Sequence, residues 1–486
     1  SEMCIRDRYN NEYKVKYRYG ILQNSKLCLP TVGRKRPRWD VTVFCFSMYK
    51  IYSILHKENS MEQFDAIVVG GGLAGAAAAY RMAKAGVKVL LVERGSYGGA
   101  KNMTGGRIYT HSLEELIPDF RKTAPLERKV TKERISILEG GKATTVEYEA
   151  EPAQPKDESY VVLHGVFDKW LVDQAEKAGA VVVNRIQVSD LIKENGKVVG
   201  IRCGNDTLRA DVVVLADGVN SLLAERAGLR APITAAEVAV GAKEVYSFNK
   251  GVLEERLGLD GNDGLSWLFM GDITHGLMGG GFIYTNKNSL SIGVVVGLEH
   301  IGESDATIED MMNEFMAYPT VARLLKGGKL LERSGHMVPE AGYKMVTTLS
   351  GDGFIIVGDA AGFCINMGYT VRGMDFAIAS GMYAADAIIK AKRLGDYSAG
   401  ALRYYDIMIE DSFVGKDLKT YRHFPDFLNN PRIFQKYPGI VNGIMSDVFT
   451  VNGDGAKPLV PKLLKRATGV GLVNLAIDAL KGGRAL

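Results

Sequence analysis

Residues Asp65–Arg94 read DAIVVGGGLAGAAAAYRMAKAGVKVLLVER. Ala66–Val69 is a short, β-branched apolar run, the pattern of a strand buried on both faces. Gly70-x-Gly72-x-x-Gly75 follows at once. An Ala-rich segment of high helix propensity then runs from about Ala74 to Ala85 and is closed by Gly86. Val87–Val92 is a second apolar run, ending on Glu93. Gly70 permits the tight turn out of the strand, Gly72 lets a pyrophosphate approach the backbone, and Gly75 lets the helix pack close to the sheet. The helix N-terminus then meets the phosphates with free N–H groups and a positive dipole end. Glu93 lies where a carboxylate accepts from a ribose hydroxyl. A lone Gly-x-Gly-x-x-Gly is a weak signal; the complete strand–turn–helix–strand–acid unit specifies dinucleotide binding.

Two further segments repeat the strand-into-turn pattern. Val212–Ala216 is apolar and meets Asp217-Gly218, with Ser221 near a helix start. Phe354–Val357 is apolar and turns through Gly358-Asp359-Ala360-Ala361-Gly362; a long helix is predicted from about Gly373 to Ala391. Asp359 is placed to bind a ribitol hydroxyl, and Asp217 to orient backbone or reach a ribityl or phosphate group. The helix after Gly373 aims its dipole at the flavin edge that becomes negative on reduction. Three such segments favour FAD over NAD, and no second complete Gly-x-Gly-x-x-Gly unit is present. The Gly-rich stretch after Arg94, GSYGGAKNMTGGR, is expected to wrap the cofactor, with Lys101, Asn102, Thr104 and Arg107 as its polar members and Gly105 among its close backbone approaches; Arg94, just before it, is a further candidate cofactor residue.

Between these lie β-rich stretches. Val130–Glu149 reads as a hairpin turning at Gly140-Gly141, and Val238–Gly297 as the strands of a second domain. Phe167–Ala178 is an amphipathic helix, preceded by His164. The fold class is therefore α/β, a Rossmann-type FAD-binding fold with a second α+β domain. The expected division is a discontinuous FAD domain over 61–235 and 345–395, a β-rich substrate- or quinone-side domain over 236–344, and a helical region over 396–486. That last region is expected to be broken at Pro425, Pro431 and Pro438.

The chain has 486 residues, 46% of them hydrophobic, enough for two cores. Its formal net charge of +4 is no sign of nucleic-acid binding. Residues 1–60 carry twelve Lys/Arg against five Asp/Glu, and the rest of the chain is slightly acidic. This leader has no clear period, and its opening SEMCIRDR looks like translated adapter sequence; it is expected to be non-native or disordered, with Met61 as the natural start. It lacks a signal-peptide apolar region and the composition of a transit peptide. Of five cysteines, three fall in the leader, and Cys203 and Cys364 are isolated. No disulfide framework, metal site or iron–sulfur centre is suggested.

The ordered set GGGLAGAAAA, ERG, GGAKNMTGGR, SYVVLHGVFDKWL, ADGVNS, GGGFIYTNKNSLSIGVV and GDAAGFCINMGYTVRGMDFAIASG resembles the FixC family, which is similar to electron transfer flavoprotein–quinone oxidoreductases. The resemblance runs from Met61 to about Pro438, and GYTVRGMD is its most specific part. It implies a glutathione-reductase-like flavoprotein working with an electron transfer flavoprotein of the FixA–FixB type and a ferredoxin-like FixX. The acceptor would be a quinone or a low-potential ferredoxin. Electrons would pass through FAD held by Gly70, Gly72, Gly75, Glu93, Asp217, Gly218, Gly358 and Asp359, with Arg372, Gly373 and Met374 beside the isoalloxazine. No side chain is expected to act as nucleophile, acid or base. His164 stands where relatives usually carry Arg, and the four-cysteine cluster of the larger quinone oxidoreductases is absent, which fits FixC. A cytoplasmic protein is expected, with peripheral attachment to the inner face of the cell membrane. The rival readings are a flavin monooxygenase, a polyprenyl reductase of related fold, a pyridine-nucleotide oxidoreductase and a non-enzymatic FAD scaffold.

Overall fold

The computed structural model describes residues 64–102, 105–453 and 458–485; the leader and Thr104 lie outside the described residues. The opening unit forms as read: β1 (Phe64–Val69), α1 (Leu73–Lys84) and β2 (Val89–Glu93). Strand β1 pairs in parallel with β2 on one side and with Asp206–Leu215 on the other. Phe354–Ile356 extends the layer beyond Asp206–Leu215, and Val181–Asn184 extends it beyond β2. Strands β1 and β2 are buried along nearly their whole length, which is why they read as unbroken apolar runs. Parallel pairing has one consequence for function. The turns after Val69, Glu93, Leu215 and Ile356 all emerge at the same edge, which is where open α/β sheets bind ligands.

Two more helices fix that edge. Helix α2 (His164–Lys177) packs beside α1, and α3 (Met374–Leu394) crosses it. The α1–α3 contact is close because Gly381 lies over the Ala74 carbonyl, where any Cβ would collide. Arg81 then forks onto Asp386 at 2.7 and 2.8 Å.

The second layer is a nine-stranded sheet. Its composition corrects the domain division read from sequence. Gly106–Tyr109, Leu126–Glu139, Lys142–Glu149 and Ser159–Val162 belong to this sheet and not to the FAD layer. Leu126–Glu139 joins it by pairing in parallel with Asp263–Gly271, so both layers are discontinuous in sequence. Pairing between strands so far apart leaves no trace in local periodicity. Trp267, Phe269 and Phe315 anchor the core beneath, with ring centroids 4.8 and 4.9 Å apart.

In the C-terminal region, Ala399–Asp411 docks on the FAD layer, where Tyr405 Oη–H donates to the Ile356 carbonyl at 2.9 Å. Pro425, Pro431 and Pro438 do not break helices, as sequence suggested, but begin them. Each sits in the first turn of Phe424–Leu428, Pro431–Gln435 or Tyr437–Phe449, where a missing N–H costs nothing. Leu472–Ala485 is latched back through Asp478, whose carboxylate accepts from Arg432, Asn430 and Tyr437. Among the described residues, no helix is long and apolar enough to cross a membrane.

Candidate cofactor site

A cavity of about 760 Å³ runs along the strand edge, inside the roughly 300–1,000 Å³ typical of cofactor and small-molecule sites. Its lining includes Gly70, Gly72, Glu93 and Arg94 from the first segment, Asp217 from the second, and Asp359, Gly373 and Met374 from the third. The three segments singled out in the sequence therefore meet in one space.

The glycines divide by task. Gly70 has φ +109°, and a Cβ there would lie 2.1 Å from the Ala216 carbonyl oxygen. At Gly75 a Cβ would lie 2.0 Å from the Gly70 oxygen, so this residue packs the helix and does not face the cavity. Gly72 differs. It is the N-cap of α1, no side chain caps it, and its nearest neighbour would be Asn102 Nδ2 at 3.9 Å. The space before the helix N-terminus is open, as a phosphate group requires.

Glu93, nearly fully buried, holds the turn from below. Gly71 N–H donates to its Oε2 at 2.7 Å and Gly95 N–H to its Oε1 at 2.5 Å. Each oxygen keeps a second lone pair for a ligand hydroxyl. Asp217 Oδ2 accepts from the Leu223 N–H at 3.2 Å, while its Oδ1 is buried with no hydrogen-bond partner. Burial raises the Asp217 pKa, against the pull of backbone N–H groups. Asp359 is pushed up to about 6 by burial, with His164 pulling the other way. Gly358 has φ +62° and donates its N–H to Ser380 Oγ at 3.0 Å; it shapes the turn behind Asp359.

The Gly-rich loop is tied to both layers. Asn102 Nδ2 donates to Asp168 Oδ2, and His164 Nδ1 lies 3.0 Å from Asp168 Oδ1. Asp168 is completely buried one turn into α2, so it orients the imidazole, whose Nε2 stands beside Gly106 and the Met374 sulfur. On the other side Lys243 Nζ donates to the Gly105 carbonyl. Lys243 is buried, and desolvation brings its pKa down to about 7. Arg94, Lys101, Asn102, Gly105, Arg107 and Gly218 all line the cavity. His336, held below its usual pKa by burial and by the nearby His164 and Arg94, lines it as well.

Arg372 is a correction. It does not line the cavity. Its guanidinium binds Asp375 at 2.5 Å and Asp417 at 2.5 Å, and it lies over the Phe376 ring at 4.6 Å. Asp375, in the first turn of α3, is completely buried and also meets His111 Nε2 at 3.1 Å. The residue follows a turn and precedes a helix, as a flavin contact would, but two carboxylates on neighbouring helices pull it to the outer side.

Sequence reasoning missed Lys243, Asp168, His336 and Glu340. The adjacent charges Lys243 and Glu244 inside the otherwise apolar Val238–Val245 run were a visible sign of Lys243. The others are ordinary in pattern; only tertiary packing brings His336 and Glu340 to the cavity and sets Asp168 behind Asn102 and His164.

The geometry fits FAD. The open space at Gly72, the unpartnered Asp217 Oδ1, the Arg94 and Lys101 side chains on the lining, and the uncapped N-terminus of α3 at Gly373 suit an anionic dinucleotide with a flavin ring.

Comparisons with known proteins agree. The profile described as FAD binding domain matches residues 63–251, and that described as FAD dependent oxidoreductase matches 164–387. The profile ETF-QO/FixC family C-terminal domain matches 424–486. The protein named "Probable electron transfer flavoprotein-quinone oxidoreductase YdiS" of Escherichia coli (strain K12) is 46% identical over 428 residues, covering 88% of this chain and 100% of its own length. "Protein FixC" of Salmonella typhi is 46% identical over 424 residues, covering 87% and 99%. Among solved structures, a geranylgeranyl bacteriochlorophyll reductase-like protein from Thermoplasma acidophilum superposes with a TM-score of 0.65 at 23% identity, covering 87% of this chain and 99% of that one. At that identity the likeness speaks for the fold.

Proposed function

The chain belongs to the FixC and electron transfer flavoprotein–quinone oxidoreductase family and is an FAD-dependent oxidoreductase; from that premise we propose that it takes electrons from a FixA–FixB-type electron transfer flavoprotein and passes them to a quinone. The observation that carries this reading is the continuity of the cavity. The same cavity that Gly373 and Met374 line has an apolar end formed by Tyr369, Phe424, Phe427, Leu428, Ile433 and Phe434, and the hairpin that carries Tyr369 leads directly into Gly373. A planar, apolar acceptor suits that lining, and it would lie next to the flavin ring. The alternative acceptor is a FixX-type ferredoxin, which would bring its own cluster, since this chain has no cysteine grouping to hold one.

FAD supplies the electron chemistry. The protein's residues hold and shield it. Gly72 and the α1 N-terminus receive the pyrophosphate, Glu93 the adenosine ribose, and Asp359 and Asp217 the ribitol side. The N-terminus of α3 at Gly373 and Met374 places partial positive charge at the ring. Lys243 and the Asp168–Asn102 pair keep the Gly-rich loop closed over the site.

The C-terminal helices favour peripheral attachment to a membrane, where quinones reside. Phe449, Val451, Val460, Leu464, Val473 and Leu480 are exposed, Phe449 at 79% and Val451 at 94%, with Lys462, Lys465 and Lys481 among them. Such a surface lies in the lipid interface without crossing it.

The test is a three-component assay: pre-reduced FixA–FixB-type flavoprotein, the FAD-loaded chain and a quinone under argon. Quinol formation that needs all three is the expected result. Direct bleaching by NADPH with no response to the flavoprotein would overturn the reading.

A further inference from the structure

Glu340 takes no part in cofactor binding as described above, yet it faces the cavity. It follows directly on the strand Lys329–Pro339. Its Oε2 accepts from Asn366 Nδ2 at 3.0 Å, and Asn366 Oδ1 accepts in turn from the Gly368 N–H at 2.9 Å. Both partners belong to the small hairpin in which Ile365–Asn366 pairs with Val371–Arg372. The turn of that hairpin carries Tyr369, which meets Phe424 edge-on at 6.3 Å. Its last strand runs straight into Gly373 at the start of α3. The carboxyl is thus fixed to the element that spans the apolar end of the cavity and the proposed flavin end.

We propose that Glu340 is the general acid of the acceptor half-reaction, giving a proton to a quinone carbonyl oxygen bound at the apolar end of the cavity. The inference rests on the quinone reading above and adds to it a residue in a named role.

Proton balance requires such a group. Reducing a quinone to a quinol takes two electrons and two protons. A bound, reduced and anionic flavin would supply two electrons and one proton, so one more proton must come from elsewhere. The Glu340 O–H bond breaks, the second quinol O–H bond forms, and the carboxylate is reprotonated from solvent. Burial raises the Glu340 carboxyl to about 7 while the Asn366 bond pulls it down, so at neutral pH the acid form is present and readily reformed. The titratable group beside it is Cys364, whose own pKa is raised far out of range by burial and by Glu340, Asp359 and Asp375. It stays a neutral thiol and does not compete for the proton.

The test compares the wild-type chain and Glu340→Gln, both loaded with FAD and reduced under argon. Gln keeps an oxygen for Asn366 Nδ2, so the hairpin should hold. Each is mixed with a short-chain benzoquinone, which needs protons, and with ferricenium, which does not. At pH 7 the ratio of quinone rate to ferricenium rate should fall at least about tenfold in the variant. The wild-type quinone rate should decline as pH rises through about 7, and that limb should vanish in Glu340→Gln. A readout free of FAD accompanies this: the infrared carboxylic-acid band of the apoprotein should titrate out near pH 7 and be missing from Glu340→Gln. An unchanged ratio, a persisting limb or no such band overturns the role of Glu340 while the quinone reading stands. Wild-type protein that reacts with ferricenium but never with the quinone removes that reading, and this proposal with it. Should Glu340→Gln fail to fold, Glu340→Asp should fold and keep the pH limb at a reduced rate; loss of the limb there counts against the proposal.

Discussion

Replacing Gly72 by Ala should separate cofactor binding from folding. Gly72 has φ −79° and ψ −176°, a conformation any L residue adopts, and a methyl group there meets only Asn102 Nδ2 at 3.9 Å. The apoprotein should be as stable as wild type or gain up to about 1 kcal/mol, because Ala restricts the unfolded chain. The methyl occupies the space that a pyrophosphate needs and holds it off the N–H groups of α1. Losing one hydrogen bond to a charged group forfeits about 1.5–3 kcal/mol. At about 1.4 kcal/mol per factor of ten, Kd for FAD should rise roughly tenfold to a hundredfold. Gly75→Ala is the contrast. Its Cβ would lie 2.0 Å from the Gly70 oxygen and 3.1 Å from Ala216 Cβ and Val68 Cγ1. This overpacking should destabilise the apoprotein itself by about 1–3 kcal/mol. The assay is a thermal melt of each apoprotein beside a flavin-fluorescence titration. The reasoning is refuted if Gly72→Ala binds FAD as wild type does, or if it lowers the apo melting temperature as Gly75→Ala does.

Other residues give independent checks. Asp359 has a folded pKa of about 6 against 3.8 unfolded, so burial favours its acid form. Its contribution to stability is whole below about pH 4 and is lost as pH rises through about 6; the apoprotein of Asp359→Asn should melt above wild type at pH 7.5, by an amount on the order of 3 kcal/mol, with the gap closing towards pH 4. A constant gap across that range would contradict the assignment. Arg372→Ala leaves the buried Asp375 without its main counter-charge and should destabilise the chain by about 3 kcal/mol or more; a melt as high as wild type together with a shifted flavin potential would return Arg372 to the flavin. Lys243→Met removes a buried amine that sits near pH 7 and the bond to Gly105, so apo stability at pH 7 should change little while FAD dissociates faster. Dissociation at the wild-type rate would show that the loop does not depend on Lys243.

The parts legible in sequence were those whose signal is local. The unit from Phe64 to Glu93 forms nearly to the residue, because apolar runs, a glycine turn and an Ala-rich helix each declare themselves over a few positions. Asp217 and Asp359 could be singled out for the same reason: each follows the end of an apolar strand, and both line the cavity. What stayed hidden depended on distant pairing. The strand Leu126–Glu139 looks like half of a local hairpin, which it is, yet its other neighbour is Asp263–Gly271. Arg372 was misplaced because its position was inferred from the turn it follows, while Asp417 on a later helix decides where it points. Glu340 becomes unusual only through burial, which no spacing in the chain reveals.

The most direct measurement is a crystal structure of the FAD-loaded chain. The expected result is adenosine beside Glu93 and Arg94, pyrophosphate over Gly72 at the start of α1, and the isoalloxazine against Gly373 and Met374. A flavin bound in the reverse direction, or one seated outside this cavity, would contradict the account.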